Sequence, residues 1–219
     1  YTTLFRSLLS RCRGGIRSDV DQMRARIFNG DCLEVMASLP SASVDLVLCD
    51  LPYGTTACAW DSVIPFDALW AQYNRLLRAG GTMVLTASQP FTTALIASNY
   101  AQFKYEWIWE KSRATGHIHS KNKPMKKHEN VLVFSKGVTA HAHLSDNRMN
   151  YFPQGLTRKA IPTIRKKHGE SDAVMGARPS NKDTLQEFEG YPHSILPIAS
   201  EGSTVHPTQK PVALMRSEE

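Results

Sequence analysis

At 219 residues, with 42% hydrophobic and 21% charged residues, the chain suits one globular domain, or one domain with an insertion, large enough for its own core. No apolar run approaches the roughly 18 residues that a membrane helix needs and no signal peptide is evident, so a cytoplasmic protein is expected and membrane partners are not. The 26 basic against 20 acidic residues, +6 at pH 7, favour a polyanionic partner, and the four scattered cysteines lack the C-x-x-C spacing of a zinc site or a disulfide framework.

The ends are set apart first. "YTTLFRS" (residues 1–7) resembles the translation of a common sequencing adapter, and "RSEE" (216–219) its reverse complement. Residues 1–22 are therefore expected to be a non-native leader and 216–219 a non-native tail, with Met23 as the natural start. The excess of basic residues survives this trimming.

In chain order, "RARIFNGDC" (24–32) predicts a short strand ending at Asn29-Gly30-Asp31, followed by a helix from about Leu33 to Leu39. "SVDLVLCD" (43–50) lacks polar alternation, as in a strand buried on both faces. "PFDALWAQYNRLLRAGG" (65–81) spaces Phe66, Leu69, Trp70, Tyr73 and Leu76/Leu77 as a helix, closing with Arg78 and a Gly80 stop. "TMVLTAS" predicts a strand, "FTTALIASNY" a helix, and "FKYEWIWEK" and "ENVLVFSK" two further strands. Such alternation implies an α/β domain with a largely parallel sheet. Over 137–203 polar residues, glycines and prolines crowd together, which predicts an irregular surface insertion rather than a second core.

Ligands of parallel α/β sheets bind beyond the carboxyl ends of the strands. Asp50 and Asp31 are predicted to stand at such ends, where an aspartate is either functional or a helix cap. "DLPY" (50–53) resembles the D-P-P-Y signature of site-specific DNA methyltransferases that modify the exocyclic amine of adenine (N6) or cytosine (N4). "NGDCLEVM" before it, and "RAGGTMVLTASQPF", "WEK", "KHENVLVFSK" and "HPTQKPVALM" after it, resemble family segments in the order of the circularly permuted β group. The resemblance implies a Rossmann-like, S-adenosylmethionine-dependent methyltransferase fold acting on double-stranded DNA. Residues 23–137 would form the catalytic part, 138–205 the target-recognition insertion and 206–215 the start of a cofactor-binding segment.

The residue types suit that reaction. An exocyclic base amine is a poor nucleophile because its lone pair is delocalised into the ring. Two acceptors at its two hydrogens, the Asp50 carboxylate and the Leu51 carbonyl, would draw the nitrogen toward pyramidal geometry, which is preorganisation rather than proton abstraction. Tyr53 suits stacking on a flipped-out base, Pro52 stiffens the turn and Gly54 gives the backbone room. Leu51 departs from the family's proline but keeps the carbonyl. By resemblance, Asp31 and Cys32 fall near the adenosyl moiety, Asp50 beside the cofactor, and Thr208, Gln209 and Lys210 near its methionine end. Lys111, Arg113, Lys121, Lys123, Lys126 and Lys127, interleaved with His117 and His119, are expected to contact phosphates from a flexible segment; a solvated basic face is the competing account. The H-x-H spacing has no acidic or cysteine partner, so no metal is expected.

The family places a strand with a glycine-rich F-x-G-x-G segment after "HPTQKP". The chain stops before it, so a C-terminally truncated enzyme is expected, with an open apolar edge beside the Asp50 strand. Two alternatives stand: methyl transfer to RNA or protein, and a non-catalytic DNA-binding remnant. Adenine is favoured over cytosine by resemblance alone. The group's frequent homodimerisation and its restriction-modification role, with an endonuclease partner, have no signal in these residues.

Overall fold

The computed structural model describes residues 3–6 (backbone only), 26–140, 145–166, 183–202 and 209–217. The main unit draws on Tyr1–Asn150 and Ser194–Glu219. Its described elements are β1 (Thr3–Arg6), α1 (Cys32–Ser38), β2 (Val44–Asp50), α2 (Phe66–Leu76), β3 (Leu77–Ala87), α3 (Phe91–Ser98), β4 (Phe103–Thr115) and β5 (Lys126–Ser135), then β8 (Ile195–Leu196) and α4 (Val212–Ser217). They build one six-stranded sheet in the order β1-β2-β3-β5-β4-β8.

The unalternating apolar strands follow from burial on two faces. Val47 and Cys49, Met83 and Leu85, Leu132 and Phe134 point into one cluster, with Leu69, Trp70, Tyr73 and Leu76 of α2 and Leu95 of α3. Their neighbours Leu46 and Leu48, Val84, Val131 and Val133 point into a second, with Trp109, Met149 and Leu214 of α4. The sheet is mixed rather than largely parallel: β2–β3 and β4–β8 are parallel, and the other three pairings antiparallel. The reason is that β4 and β5 form one long hairpin, which needs no helical crossover.

Four further expectations are corrected. The described part of the predicted first strand, residues 26–31, is not in the sheet, and Ile27 is exposed. A strand requires a partner edge, and the edge of β2 expected to stay open is taken by β1, Thr3 opposite Cys49 through Arg6 opposite Leu46. The helix α2 ends at Leu76, so its basic last-turn residue is Arg75; Arg78 and Gly80 lie in β3. Gly80 takes a left-handed φ of 75° where a β-carbon would meet the Arg148 carbonyl at 3.1 Å. The segment between Lys111 and Lys127 is the end of the β4–β5 hairpin, paired as far as Thr115 opposite Lys126 and closed by a short 3₁₀ turn over His117–His119, rather than an irregular segment.

The insertion expected over residues 137–203 spans parts of both units. A second compact unit, Tyr151–His193, contains the antiparallel pair β6 (Thr157–Arg165) and β7 (Thr184–Glu189). The flanks belong to the main unit: Asn150 N–H donates to the Gly80 carbonyl at 2.9 Å, and the Trp109 indole donates to the Ile198 carbonyl at 2.8 Å.

Arg75 ties α2 to the end of α1, donating to the carbonyls of Leu39 at 2.7 Å and Met36 at 2.5 Å. Hydrogen bonds from a charged donor contribute about 1.5–3 kcal/mol. Arg75→Met is therefore expected to lower unfolding free energy by about that amount in urea titrations, and an unchanged midpoint would show that the tie is idle.

Candidate active site

The apolar run of β2 ends on Asp50 because the next two residues turn the chain: Leu51 is buried in the core and Pro52 cannot continue a ladder. The parallel register sets Asp50 directly opposite Thr86 of β3. Three donors then converge on one carboxylate oxygen. The Thr86 hydroxyl donates to Asp50 Oδ1 at 2.5 Å, the Tyr53 hydroxyl reaches it at 3.1 Å, and Lys210 Nζ lies 3.1 Å away. Oδ2 receives no hydrogen bond among the described residues, and the Asp50 side chain keeps 33% of its surface exposed. One oxygen anchors the carboxylate and the other faces outward as an acceptor.

Tyr53 is fixed at both ends. Its ring stacks on Phe91 of α3 with centroids 5.3 Å apart and an interplanar angle of 26°, and its hydroxyl also approaches Thr86 Oγ1 at 3.0 Å. Burial, then the charges of Asp50 and Glu129, push the phenol well above its ordinary value. It therefore remains a neutral donor at any physiological pH.

Lys210 joins Asp50 to Glu129. Its side chain is only 8% exposed, and its ammonium lies 3.3 Å from Glu129 Oε2 and 5.3 Å from the Tyr53 ring centroid. Glu129, at the start of β5, is paired through Oε1 with Lys111 of β4, whose ammonium also sits 5.0 Å from the Trp109 ring. Burial raises the Glu129 carboxyl, but Lys210 and Lys111 outweigh it and hold the group below the ordinary carboxylate range. Burial lowers Lys126 in the same neighbourhood. Four groups, Lys111, Glu129, Lys210 and Asp50, thus alternate in charge.

A clamp holds the loop behind Tyr53. The buried carboxylate of Asp61 accepts the backbone N–H groups of Gly54 at 2.9 Å, Thr55 at 2.9 Å and Thr56 at 2.7 Å. Gly54 itself sits at φ 65°, where a β-carbon would press on Val63 Cγ2 at 2.9 Å.

Of the residues singled out in the sequence, Asp50, Leu51, Pro52, Tyr53, Lys210 and Lys111 meet at this strand end. Gln209 is half-buried beside Lys210, and Thr208 lies outside the described residues. Asp31 is not at a strand end. It caps α1, with Oδ1 accepting from Leu33 N–H at 2.8 Å and Glu34 N–H at 3.3 Å. Cys32 packs against the α-helical side of the core, where burial raises its thiol. Neither hydrogen-bonds to Asp50. Arg113, His117, His119, Lys121 and Lys123 are exposed at the hairpin end, and Lys127 pairs with Glu110 at 2.8 Å. The sequence reading missed Thr86, Phe91, Glu129 and Asp61. Thr86 was visible as the polar end of an apolar strand, and Glu129 as the lone acid in a basic run.

Among the described residues no helix is long and apolar enough to cross a membrane, and no group of histidine, cysteine, aspartate and glutamate side chains could hold a metal. The family model for a DNA methylase that modifies N6 or N4 amines matches residues 44–217. The chain belongs to this DNA methylase family, whose members are S-adenosyl-L-methionine-dependent methyltransferases. Among solved structures, the cytosine-N4-specific PvuII DNA methyltransferase matches with a TM-score of 0.52 and 13% identity over 86% of this chain and 67% of its own. The M1.HpyAVI–SAM complex matches with a TM-score of 0.46 and 19% identity over 87% of this chain and 74% of its own. The first likeness places the chain in the Rossmann-like methyltransferase fold. No curated protein matches the sequence.

The Asp61 clamp carries a pH signature. Burial raises its carboxyl, but the hydrogen bonds from Gly54, Thr56 and Thr55 outweigh this and hold it below the ordinary value. A depressed carboxyl contributes stability that is fully present above its unfolded value, near pH 4, and is lost as pH falls through the folded one. Asp61→Asn is thus expected to lower the denaturation midpoint at pH 7 and to converge with the parent chain below about pH 4. A gap that stays constant with pH would mean the clamp works through shape alone.

Proposed function

We propose that this DNA methyltransferase transfers a methyl group to the exocyclic amine of a base swung out of double-stranded DNA, with adenine N6 as the favoured target. The observation that carries the reading is the asymmetric Asp50 carboxylate, one oxygen tied down and the other left as an acceptor. An amine held by Oδ2, with the Leu51 carbonyl as second acceptor, would have its lone pair localised at no cost in reorganisation. The target base must leave the duplex because its amine is out of reach inside the stack.

The cofactor fits the donor set. S-adenosylmethionine supplies a methyl group already activated on a sulfonium. A cation of that kind suits an aromatic ring and a carboxylate, here Tyr53 and Asp50. Asp31, whose Oδ2 is unused by the helix cap, together with Cys32, Thr208, Gln209 and Lys210, is the set that would hold it.

The DNA contact is assigned to the hairpin end. Arg113, His117, His119, Lys121 and Lys123 project there into solvent, whereas Lys111 and Lys127 are each engaged with a glutamate. Phosphate contacts from such residues position the duplex without reading its sequence.

Two measurements test this. Labelled methyl transfer from S-adenosylmethionine to unmethylated DNA should fall on the order of 10²–10³-fold or more in Asp50→Ala, with the product identified as N6-methyladenine. Transfer indifferent to Asp50 would sink the assignment, and N4-methylcytosine would move the target. Lys121→Gln and Lys123→Gln should each flatten the salt dependence of DNA binding by about 0.9 in slope, whereas Lys127→Gln should change it less. Equal effects at all three would point to a diffuse basic face.

A further inference from the structure

The β4–β5 hairpin is rooted at the site and ends well away from it. At the root, Trp109 lies opposite Glu129, which pairs with Lys111 and stands 3.3 Å from Lys210, the partner of Asp50. The strands then run out as far as Thr115 opposite Lys126. From residue 109 to 115, at roughly 3.3 Å per residue, the arm extends about 20 Å at most, more than the roughly 12 Å width of a DNA major groove. Its apex is closed by its own backbone. Gly116 takes a left-handed φ of 90° and opens the 3₁₀ turn, in which the N–H of His119 donates to the Gly116 carbonyl at 3.0 Å, that of Ser120 to His117 at 3.0 Å and that of Asn122 to His119 at 2.9 Å.

Ile118 stands in the middle of this turn, 91% exposed and part of neither core cluster. Turns are ordinarily built from Gly, Pro, Asn, Asp and Ser, and a β-branched side chain is a poor choice for a helical turn. Around it Arg113, His117, His119, Lys121 and Lys123 are all exposed, and the sequence between Glu110 and Glu129 holds no acidic residue. A single exposed apolar side chain needs no explanation on an ordinary surface. One at the apex of a cationic arm rooted at the site calls for an apolar target inside a polyanion, and the base stack of DNA is such a target.

We propose that Ile118 is an apolar wedge that enters the duplex and fills the space a swung-out base leaves. The surrounding cations draw the arm onto the phosphates, and the side chain, stiff about its first torsion, inserts with little loss of freedom. A side chain without a hydrogen-bonding group reads no base edge, so the wedge serves any sequence and leaves recognition to other residues. The inference rests on the proposed swinging-out of the target base, which creates the space to be filled.

The full chain is titrated by fluorescence anisotropy with a labelled duplex of mixed sequence, and with the same duplex carrying one abasic site, where the space is already open. The ratio of the two affinities reads insertion and cancels contacts to the phosphates. The parent chain should prefer the abasic duplex about tenfold, because insertion there needs no unstacking. Ile118→Ala should lose most of that preference and Ile118→Leu should keep it. Neither should change the slope of log affinity against log salt, which Lys121→Gln flattens. A preference that survives in Ile118→Ala, or is missing from the parent chain, overturns the wedge and leaves the DNA reading standing. A salt slope altered in Ile118→Ala as in Lys121→Gln would mean that the residue only shapes the cationic tip, and overturns the wedge as well. Absence of duplex binding in every variant overturns the DNA reading, and the wedge with it.

Discussion

A carboxylate at the end of a buried strand needs hydrogen-bond donors to hold it in one orientation, and this constraint on Asp50 organises its surroundings. Thr86 is supplied by the parallel register of β2 and β3, Tyr53 by the turn three residues on, and Lys210 by the segment that leads into α4. Each donor comes from a different part of the chain. The carboxylate therefore takes its orientation only when the sheet, the turn and the C-terminal segment are all in place. Convergence on one oxygen is what leaves the other available.

The surrounding frame separates rigid parts from shared ones. Tyr53 is held by a stacked ring, two hydroxyl contacts and a loop whose backbone N–H groups point at Asp61. None of these contacts depends on a long flexible side chain, so the ring is fixed with little loss of rotamer entropy. Lys210 differs. It reaches both partners at once through four methylenes, 3.1 Å from Asp50 Oδ1 and 3.3 Å from Glu129 Oε2.

Much of this was legible in the sequence, and the failures share a physical cause. The apolar strands and amphipathic α2 announced themselves through burial, because side-chain period follows which faces are covered. "DLPY" and "HPTQKP" marked Asp50 and Lys210 as members of a site. The strand predicted over 24–32 was not found in the described residues because pairing depends on a neighbouring edge, which a local window does not contain. Asp31 was expected at a strand end and is a helix cap for the same reason. Thr86 and Glu129 stand out in the sequence only as polar exceptions to their surroundings, and their partners emerge through register: Thr86 lies opposite Asp50, and Glu129 lies opposite Trp109, next to Lys111. Sequence distance conceals such neighbours, whereas a folded sheet makes them adjacent.

The alternating row of Lys111, Glu129, Lys210 and Asp50 is poor evidence for stability. Burying ion pairs costs desolvation that their attraction repays only with good geometry, and apolar replacements often do as well. Here the geometry is uneven, with a close Lys111–Glu129 pair and a misaligned Lys210–Glu129 contact. A row selected for stability alone would be expected to close that last contact. Leaving it slack keeps Lys210 shared between two carboxylates, so the protein holds charge at the mouth of the site without committing it. In a reaction whose nucleophile is a neutral amine, that is the useful arrangement: the contacts on Oδ1 orient the Asp50 carboxylate before any base arrives and leave Oδ2 as the acceptor.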